Sequence, residues 1–391
     1  RAAEYSALVA GSHTLRVKLE GEAVRQVALR LPAGYDPQQA WPLIYALHGS
    51  VGGTEFILDY LERVLGEAIE RFVIAAPRDY GQYVIHAYPP VSTEHLTVLR
   101  EIKRLVHVDS DRVYLTGYSR GGHASWTLGT LHAEQFAAVA PIAGTLIAPV
   151  PRAIWPLLLP NLTHTAVLNV WGELDTDLDD GRMSPDGGLA AVNRKLRRVA
   201  GELGLPLASR QIAGVGHLGV VPPRAEMLEL LERRRIHFPE QVRHRFRHLY
   251  QGKAYWLEAR RLTGSQWSDR LTIRRGPREN IDAAIARALR AQLGELRGSI
   301  EGQKIDVRRR QVDPLVVWFG DGMIDWNGSV VLEASRVRDF RGQIEPDLLI
   351  CLLQAARTRD FERLHWAGLH VPTRGEISRL SAEELDRWLW P

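Results

Sequence analysis

Residues 117–122 read Gly-Tyr-Ser-Arg-Gly-Gly, directly behind an apolar run at 112–116 and directly ahead of a stretch with helical spacing. Glycines two places either side of one serine, where a strand pattern gives way to a helix pattern, leave few folds open. A sharp strand-to-helix turn holds its central residue in a strained backbone conformation, and only neighbours without side chains let strand and helix close on it. Such a turn lifts Ser119 alone above the edge of a sheet. It also sets the hydroxyl at a helix N-terminus, where unpaired N–H groups and the helix dipole favour developing negative charge. A plain tight turn with a capping serine would use the same letters, so the rest of the chain has to decide between the two.

The flanking sequence supplies the strands and helices that such a turn needs. Residues 14–20 and 25–32 alternate like half-exposed strands, 42–49 and 72–79 read as buried strands, and 55–70 and 92–106 carry helical spacing. After Ser119 come predicted strands at 137–144, 165–172 and 209–217, with predicted helices at 189–203 and 223–235. Strand-helix-strand units of this length predict an α/β fold: a mostly parallel sheet with helices on both faces.

Near residue 240 the texture changes. Short strand patterns at 253–264, 270–276, 304–311, 315–325 and 329–335 alternate with helix patterns at 280–296, 346–366 and 381–390. A chain of 391 residues exceeds what one core usually organises. We therefore expect two domains: 1–240, which carries the chemistry, and 241–391, a smaller α+β domain that is β-rich at its centre.

Composition narrows the function classes. The chain is 45% apolar and 25% charged, as in ordinary globular proteins, and no apolar run nears the roughly 20 residues of a membrane span. Of its 50 Lys+Arg and 46 Asp+Glu, 26 and 21 lie from residue 240 onward, leaving 24 and 25 before it. The excess is modest and scattered, and dense only around 243–247 and 308–310. It reads as solvated surface, and no nucleic-acid partner is expected. Cys351 is the sole cysteine and sits in an apolar helix pattern, so it is expected to be a buried, inert thiol. No Cys pair or lysine-bearing phosphate loop is present, and no metal or cofactor is called for. The chain opens on Arg1 with neither Met nor a signal-peptide pattern, which suggests a trimmed or processed start.

Two further stretches favour the chemical reading of the elbow. An acyl-transfer site needs two donors aimed at the oxyanion of its tetrahedral intermediate. One would be the backbone N–H of Arg120; the other would come from the loop at 47–53, Leu-His-Gly-Ser-Val-Gly-Gly, from Ser50 first and Val51 second. His48 is taken as structural. A serine hydroxyl also needs a base, and the base needs a carboxylate to fix its tautomer; on this kind of sheet they follow in the order acid, then histidine. Residues 168–180 end a buried strand in a carboxylate cluster, from which Asp175 is the expected acid, with Asp177 as runner-up and Asp179 and Asp180 as loop charges. His217, flanked by glycines after the next strand, is the expected base. An imidazole titrating near the ordinary pH of about 6.5 would make activity fall in mild acid. His123 is expected to face away, whereas His86 and His95 fall on or near a loop bordering the site.

The stretches at 42–53, 109–126, 168–175 and 214–217 together resemble the α/β-hydrolase superfamily. More narrowly they resemble the polyhydroxyalkanoate depolymerase and feruloyl esterase group, near predicted peptidases related to prolyl oligopeptidase. The resemblance covers roughly residues 12–237 and implies a catalytic triad of Ser119, Asp175 and His217 with oxyanion donors at Ser50 and Arg120. It implies a serine esterase acting through an acyl-enzyme on small or polymeric esters, and a secreted or periplasmic location. Many members carry His-Gly where this chain has Trp171-Gly172. Tyr83, His86, Tyr88, Trp126, Trp155 and Trp171 are candidate substrate-binding residues. A peptidase on the same triad and a silent binding protein are the alternatives. The second domain is open to three readings: packing or lid domain, polymer-binding module with Trp256, Trp267, Trp318 or Trp326 on a strand face, or oligomerisation surface.

Overall fold

The computed structural model describes residues 5, 8–19, 23–78, 91–147, 151–176, 188–264 and 272–389. The chain forms two compact units, Arg1–Pro151 with Leu162–Arg235, and Arg152–Asn161 with Ile236–Pro391. The change of texture near 240 thus lies close to the junction, but the segment Arg152–Asn161, placed by its sequence position in the first domain, packs with the second. The physical reason is an edge-strand cap. The Asn161 amide donates to the Arg245 carbonyl at 2.9 Å and accepts from the Arg245 N–H at 2.9 Å, while the Arg245 guanidinium donates to the Leu157 carbonyl at 3.1 Å.

In the first unit eight strands lie in the order β1-β2-β4-β3-β5-β6-β7-β8. They are β1 (Gly11–Lys18), β2 (Val24–Leu31), β3 (Trp41–Leu47), β4 (Val73–Pro77), β5 (Val108–Tyr118), β6 (Ala138–Ile142), β7 (Ala166–Gly172) and β8 (Leu207–Ile212). The first two pair antiparallel, β2 meets β4 antiparallel, and from β4 onward every pairing is parallel. Strands β4 and β6 are buried along their whole length, as continuous apolar runs covered on both faces must be. Helices α1 (Gly53–Leu65), α2 (Val91–Leu105), α3 (Arg120–Leu131), α5 (Gly188–Glu202) and α6 (Arg224–Leu230) complete the unit. The helix patterned at 55–70 stops early, because Gly66 at φ 58° turns the chain into a short 3-10 segment. That patterned at 223–235 ends at Leu230. Chain order reverses at β3, whose sequel β4 lies on one side and β5 on the other. The crevice beyond the C-terminal ends of β3 and β5 is where open α/β sheets place their sites.

The second unit holds two five-stranded sheets, β10-β11-β14-β17-β18 and β16-β15-β13-β12-β9. The first contains β10 (Lys253–Ala254), β11 (Leu257–Ala259), β14 (Leu315–Phe319), β17 (Ala367–Val371) and β18 (Ser378–Arg379). The second contains β9 (Gln241–Phe246), β12 (Gly294–Glu301), β13 (Lys304–Arg310), β15 (Ser329–Ala334) and β16 (Phe340–Gln343). One apolar core joins them, with Val242, Leu296, Ile305 and Leu332 from one sheet against Leu257, Val317, Phe319 and Leu369 from the other. Helix α4 (Pro151–Leu158), which the sequence patterns miss, belongs to this unit along most of its length, with α7 (Ile281–Gln292), α8 (Leu348–Thr358) and α9 (Ala382–Leu389). The strand pattern at 270–276 forms no strand over its described residues, 272–276. Trp256 and Trp318 are fully buried and Trp326 packs partly against the core, so these three make no aromatic platform, while Trp267 lies outside the described residues. Cys351 is buried on α8, and burial raises its thiol pKa above the ordinary value.

Under α8, Glu258 is 4% exposed yet well paired. It accepts from Arg260 at 2.9 Å, from Arg357 at 3.0 Å and from the Trp318 indole at 3.0 Å. Burial alone would raise its pKa, but Arg357, then Lys253 and Arg260, outweigh it and hold the acid at about 2. In an unfolded chain a glutamate titrates near 4.3, so the carboxylate contributes stability above that pH and loses it as pH falls toward 2. The contribution is about 3 kcal/mol. Calorimetry of the second unit's transition across this window tests it: Glu258→Gln should melt lower at neutral pH and depend less on pH between about 4.3 and 2. Equal slopes for both proteins would show that the acid is not ionised in the fold.

Candidate active site

Strand β5 ends at Tyr118, helix α3 begins at Arg120, and Ser119 between them takes φ 56° and ψ −115°. A non-glycine residue in that region is strained, at about 1–3 kcal/mol, and persists only where its surroundings impose it. Here they do. The Ser119 N–H donates to the Ile142 carbonyl and the Ser119 carbonyl accepts from the His123 N–H, both at 2.9 Å. A Cβ on Gly121 would lie 1.9 Å from the Leu47 carbonyl oxygen, and one on Gly117 would lie 2.4 Å from that of Gly121. The glycines of the elbow are therefore required by the approach of α3 to the ends of β3 and β5, as the sequence pattern implied.

The three side chains expected to act together do meet. His217 Nε2 stands 2.7 Å from Ser119 Oγ, and His217 Nδ1 stands 2.9 Å from Asp175 Oδ2. Asp175 is 1% exposed and Ser119 is 7% exposed, so the relay opens to solvent mainly along the imidazole and the hydroxyl. An ionised carboxylate can only accept, which puts the ring proton on Nδ1 and leaves Nε2 to accept from the serine. Asp177, Asp179 and Asp180 lie outside the described residues.

Acid and base reach the serine because their two loops are bound to each other. The Leu174 N–H donates to the Val215 carbonyl at 2.9 Å, and the Gly214 N–H donates to the Glu173 carboxylate at 2.9 Å. A Cβ on Gly172 would lie 2.4 Å from the Val215 carbonyl oxygen, so the glycine after Trp171 permits this contact. Helix α5 closes the far side, its Ala190 N–H donating to the Asp175 carbonyl at 2.9 Å.

On the oxyanion side, a Cβ on Gly49 would sit 3.4 Å from Ser119 Cβ, which brings the loop after β3 against the elbow. The Arg120 guanidinium donates to Ser50 Oγ at 3.1 Å, tying together the two residues expected to supply backbone donors. Val51 points outward, 84% exposed. Helix α3 starts at Arg120, and the first N–H groups of a helix have no acceptor within it.

His48 is buried, with its Nδ1 at 2.7 Å from the Gly49 carbonyl, and His123 is held by the Thr145 N–H, which donates to its Nδ1 at 2.9 Å. His95 does not border the site. It lies on α2, buried, 2.7 Å from the Tyr45 hydroxyl, because its helix face packs on the sheet. Of the substrate-binding candidates, Tyr83, His86 and Tyr88 lie outside the described residues. Trp126, Trp155 and Trp171 are corrected: all three are fully buried, so none lines a cleft. The Trp126 indole donates to Asn169 at 3.3 Å, at the head of a buried amide chain through Asn193 to the Gly144 carbonyl. A cleft of about 410 Å³ lined by Trp41, Phe72, Arg112 and Glu232 opens at the N-terminal ends of β3 and β4, the wrong end of the sheet for Ser119.

Sequence reasoning missed two residues that hold the base. The Tyr118 hydroxyl donates to the His217 carbonyl, and the Tyr60 hydroxyl donates to the Val220 carbonyl at 2.8 Å. The partners lie 99 and 160 positions away, and no local pattern marks such contacts. Burial pushes the Tyr118 hydroxyl up to about 12, so it stays a donor at any working pH. Tyr118→Phe keeps the ring and removes the bond, worth about 1 kcal/mol. The rate at which a fluorophosphonate labels Ser119 should fall about fivefold while the melting temperature hardly changes. An unchanged labelling rate would remove Tyr118 from the site.

No protein-family model matches the chain. Among curated proteins it is similar to feruloyl esterase C of Emericella nidulans, 27% identical over 135 residues that cover 32% of this chain and 48% of that protein. It is similar also to a probable feruloyl esterase C of Aspergillus clavatus, 25% identical over 135 residues covering 32% and 47%. The chain spans about half the length of the curated relatives it matches. Among solved structures it is similar to the poly(3-hydroxybutyrate) depolymerase LpqC of Bordetella parapertussis, at 19% identity and a TM-score of 0.43 over 56% of this chain and 95% of that one. The chain's own topology is more telling: parallel strands β3 to β8, with a strained serine between β5 and α3, an acid after β7 and a histidine after β8, give the first unit the α/β-hydrolase fold.

Proposed function

We propose that the chain is a serine hydrolase of carboxylic esters. The observation that carries this reading is the hydrogen-bonded relay from Ser119 Oγ through His217 to buried Asp175, at 2.7 and 2.9 Å. Ser119 Oγ attacks the ester carbonyl while His217 Nε2 takes its proton, and Asp175 stabilises the imidazolium that forms. The oxyanion is held by the backbone N–H groups of Ser50 and Arg120. Collapse of the tetrahedral intermediate expels the alcohol, which receives the proton from His217, and leaves Ser119 acylated. Water then attacks the acyl-enzyme with His217 again as base, releasing the acid and restoring the serine.

Hydroxycinnamoyl esters are the class that the names of the curated relatives point to, and aryl esters, acetylated sugars and polyesters complete the panel to be tested. Turnover of these esters should exceed that of short peptide amides, and Ser119→Ala should lower kcat by about 10⁴-fold or more. A fluorophosphonate should label the wild type and not the alanine variant. Faster cleavage of amides would make the protein a peptidase instead. Equal labelling of both proteins, or none, would leave the fold as a binding protein.

A further inference from the structure

The two arginine-dense stretches at 243–247 and 308–310 are far apart in sequence but come together on one face of the second unit. Strand β12 lies between β9 and β13, and the registers Arg245↔Glu295↔Arg310 and Arg243↔Arg297↔Arg308 set two rows directly across three strands. Residues Leu296 and Ile300, on the alternate positions of β12, point into the core, so these rows form the outer face.

The face is short of negative charge. Glu295, buried at 5% side-chain exposure, is the counter-ion of five arginines: Arg297 at 2.7 Å, Arg245 at 3.0 Å, Arg310 at 3.4 Å, Arg290 at 3.6 Å and Arg243 at 3.7 Å. Arg308 pairs with Asp306 at 3.1 Å. With Lys304, Glu301 and Glu333 on the same face, seven cations thus meet four carboxylates, a surplus of three positive charges. The second row holds three arginines side by side, an arrangement that destabilises a sheet by repulsion. Burial lowers the pKa of Arg243 and of Arg310, and Arg297 and Arg290 lower both further, as expected of unneutralised neighbours. The buried Nε of Arg310 has no hydrogen-bond partner, and its Nη2 reaches the Glu295 carboxylate only at 3.4 Å. Arg243, Arg297 and Arg308 are 44%, 42% and 71% exposed, within reach of a ligand.

We propose that this face binds a linear polysaccharide whose sugars carry carboxylates. A guanidinium presents a planar fork that matches a carboxylate, and strands about 4.8 Å apart repeat that fork at roughly the spacing of successive sugar rings. The rows offer no aromatic side chain on which a base could stack and no apolar side chain that could enter a bilayer. A flexible acidic chain laid across the strands meets Arg243, Arg297 and Arg308 in turn, while Glu295 holds Arg245 and shapes the site from beneath. The proposal does not depend on the chemistry at Ser119.

Affinity electrophoresis of the full chain through gels containing polygalacturonate, a neutral galactan, or duplex DNA tests it, with flotation on phosphatidylserine vesicles alongside. The wild type should be retarded by polygalacturonate at low salt, released at high salt, and unaffected by the galactan. The triple variant Arg243→Gln, Arg297→Gln, Arg308→Gln should bind at least about tenfold more weakly, with hydrolysis of a small aryl ester unchanged. Its melting temperature should fall by no more than a few degrees, because Arg245, Arg310 and Arg290 remain beside buried Glu295 when Arg297 and Arg243 are replaced. Passage of the wild type without retardation, equal retardation of the variant, or tighter binding to DNA or vesicles would each overturn the proposal. So would a variant that fails to fold, which would make the arginines a structural lattice.

Discussion

The first unit depends on one close approach: the start of α3 lies so near the end of β3 that residue 121 cannot carry a Cβ against the Leu47 carbonyl. Any side chain there would push the helix outward, release the turn that strains Ser119, and part the serine from the loop holding Ser50. The strain at φ 56° is small beside the contacts that impose it, since β5 is buried between β3 and β6 and the Ser119 N–H is spent on β6. The hydroxyl is therefore placed by the sheet rather than by its own preferences. The oxyanion site proposed at Ser50 and Arg120 would, built this way, need no reorganisation when charge develops, which is where such sites derive most of their effect.

From that fixed point the imidazole is located by register. Strand β8 pairs with β7 through Gly172↔Ile212, so the turns that follow the two strands start side by side, and the bond from Leu174 to Val215 keeps them there. Tyr118, the residue before the nucleophile, then fastens the His217 backbone to β5. Serine, acid and base sit on three different connections, yet each is linked to the next by backbone contacts as well as by the relay. This explains why Trp171 can be fully buried in its strand without harm to the site: it faces the core, with Arg197 6.0 Å over its ring, and the contact to the histidine loop is made by Gly172 and Leu174.

Much of this was legible in the chain. Continuous apolar runs announced the parallel strands because burial on both faces leaves no place for alternation, and Gly117 and Gly121 announced the elbow because close backbone approach has few other solutions. Asp175 and His217 followed from position at strand ends. What failed was inference from residue type alone. Trp126, Trp155 and Trp171 were assigned to a cleft because aromatics favour ligands, yet large rings bury still more readily in cores. Helix α4 was missed because Pro151 and Pro156 break its pattern, and its attachment to the second unit depends on Asn161 capping an edge strand, a contact with no local sequence signature. The arginine face was read as scattered charge because adjacency across β9, β12 and β13 is a matter of register.

The second unit contains two buried glutamates that solve the same problem differently, and the contrast separates structure from recognition. Glu258 lies beneath α8, with Arg260, Arg357 and the Trp318 indole in direct contact and its partners largely enclosed, which is what a buried carboxylate needs to repay its desolvation. Glu295 is as deeply buried, but most of its arginines reach out to solvent and outnumber it. A pairing meant only to stabilise would need one or two cations, and each further arginine adds repulsion without adding a bond of comparable quality. The surplus thus makes no sense as internal packing. It makes sense as one half of a contact whose other half is an acidic chain, with the glutamate present to let the guanidinium groups stand close together until that chain arrives.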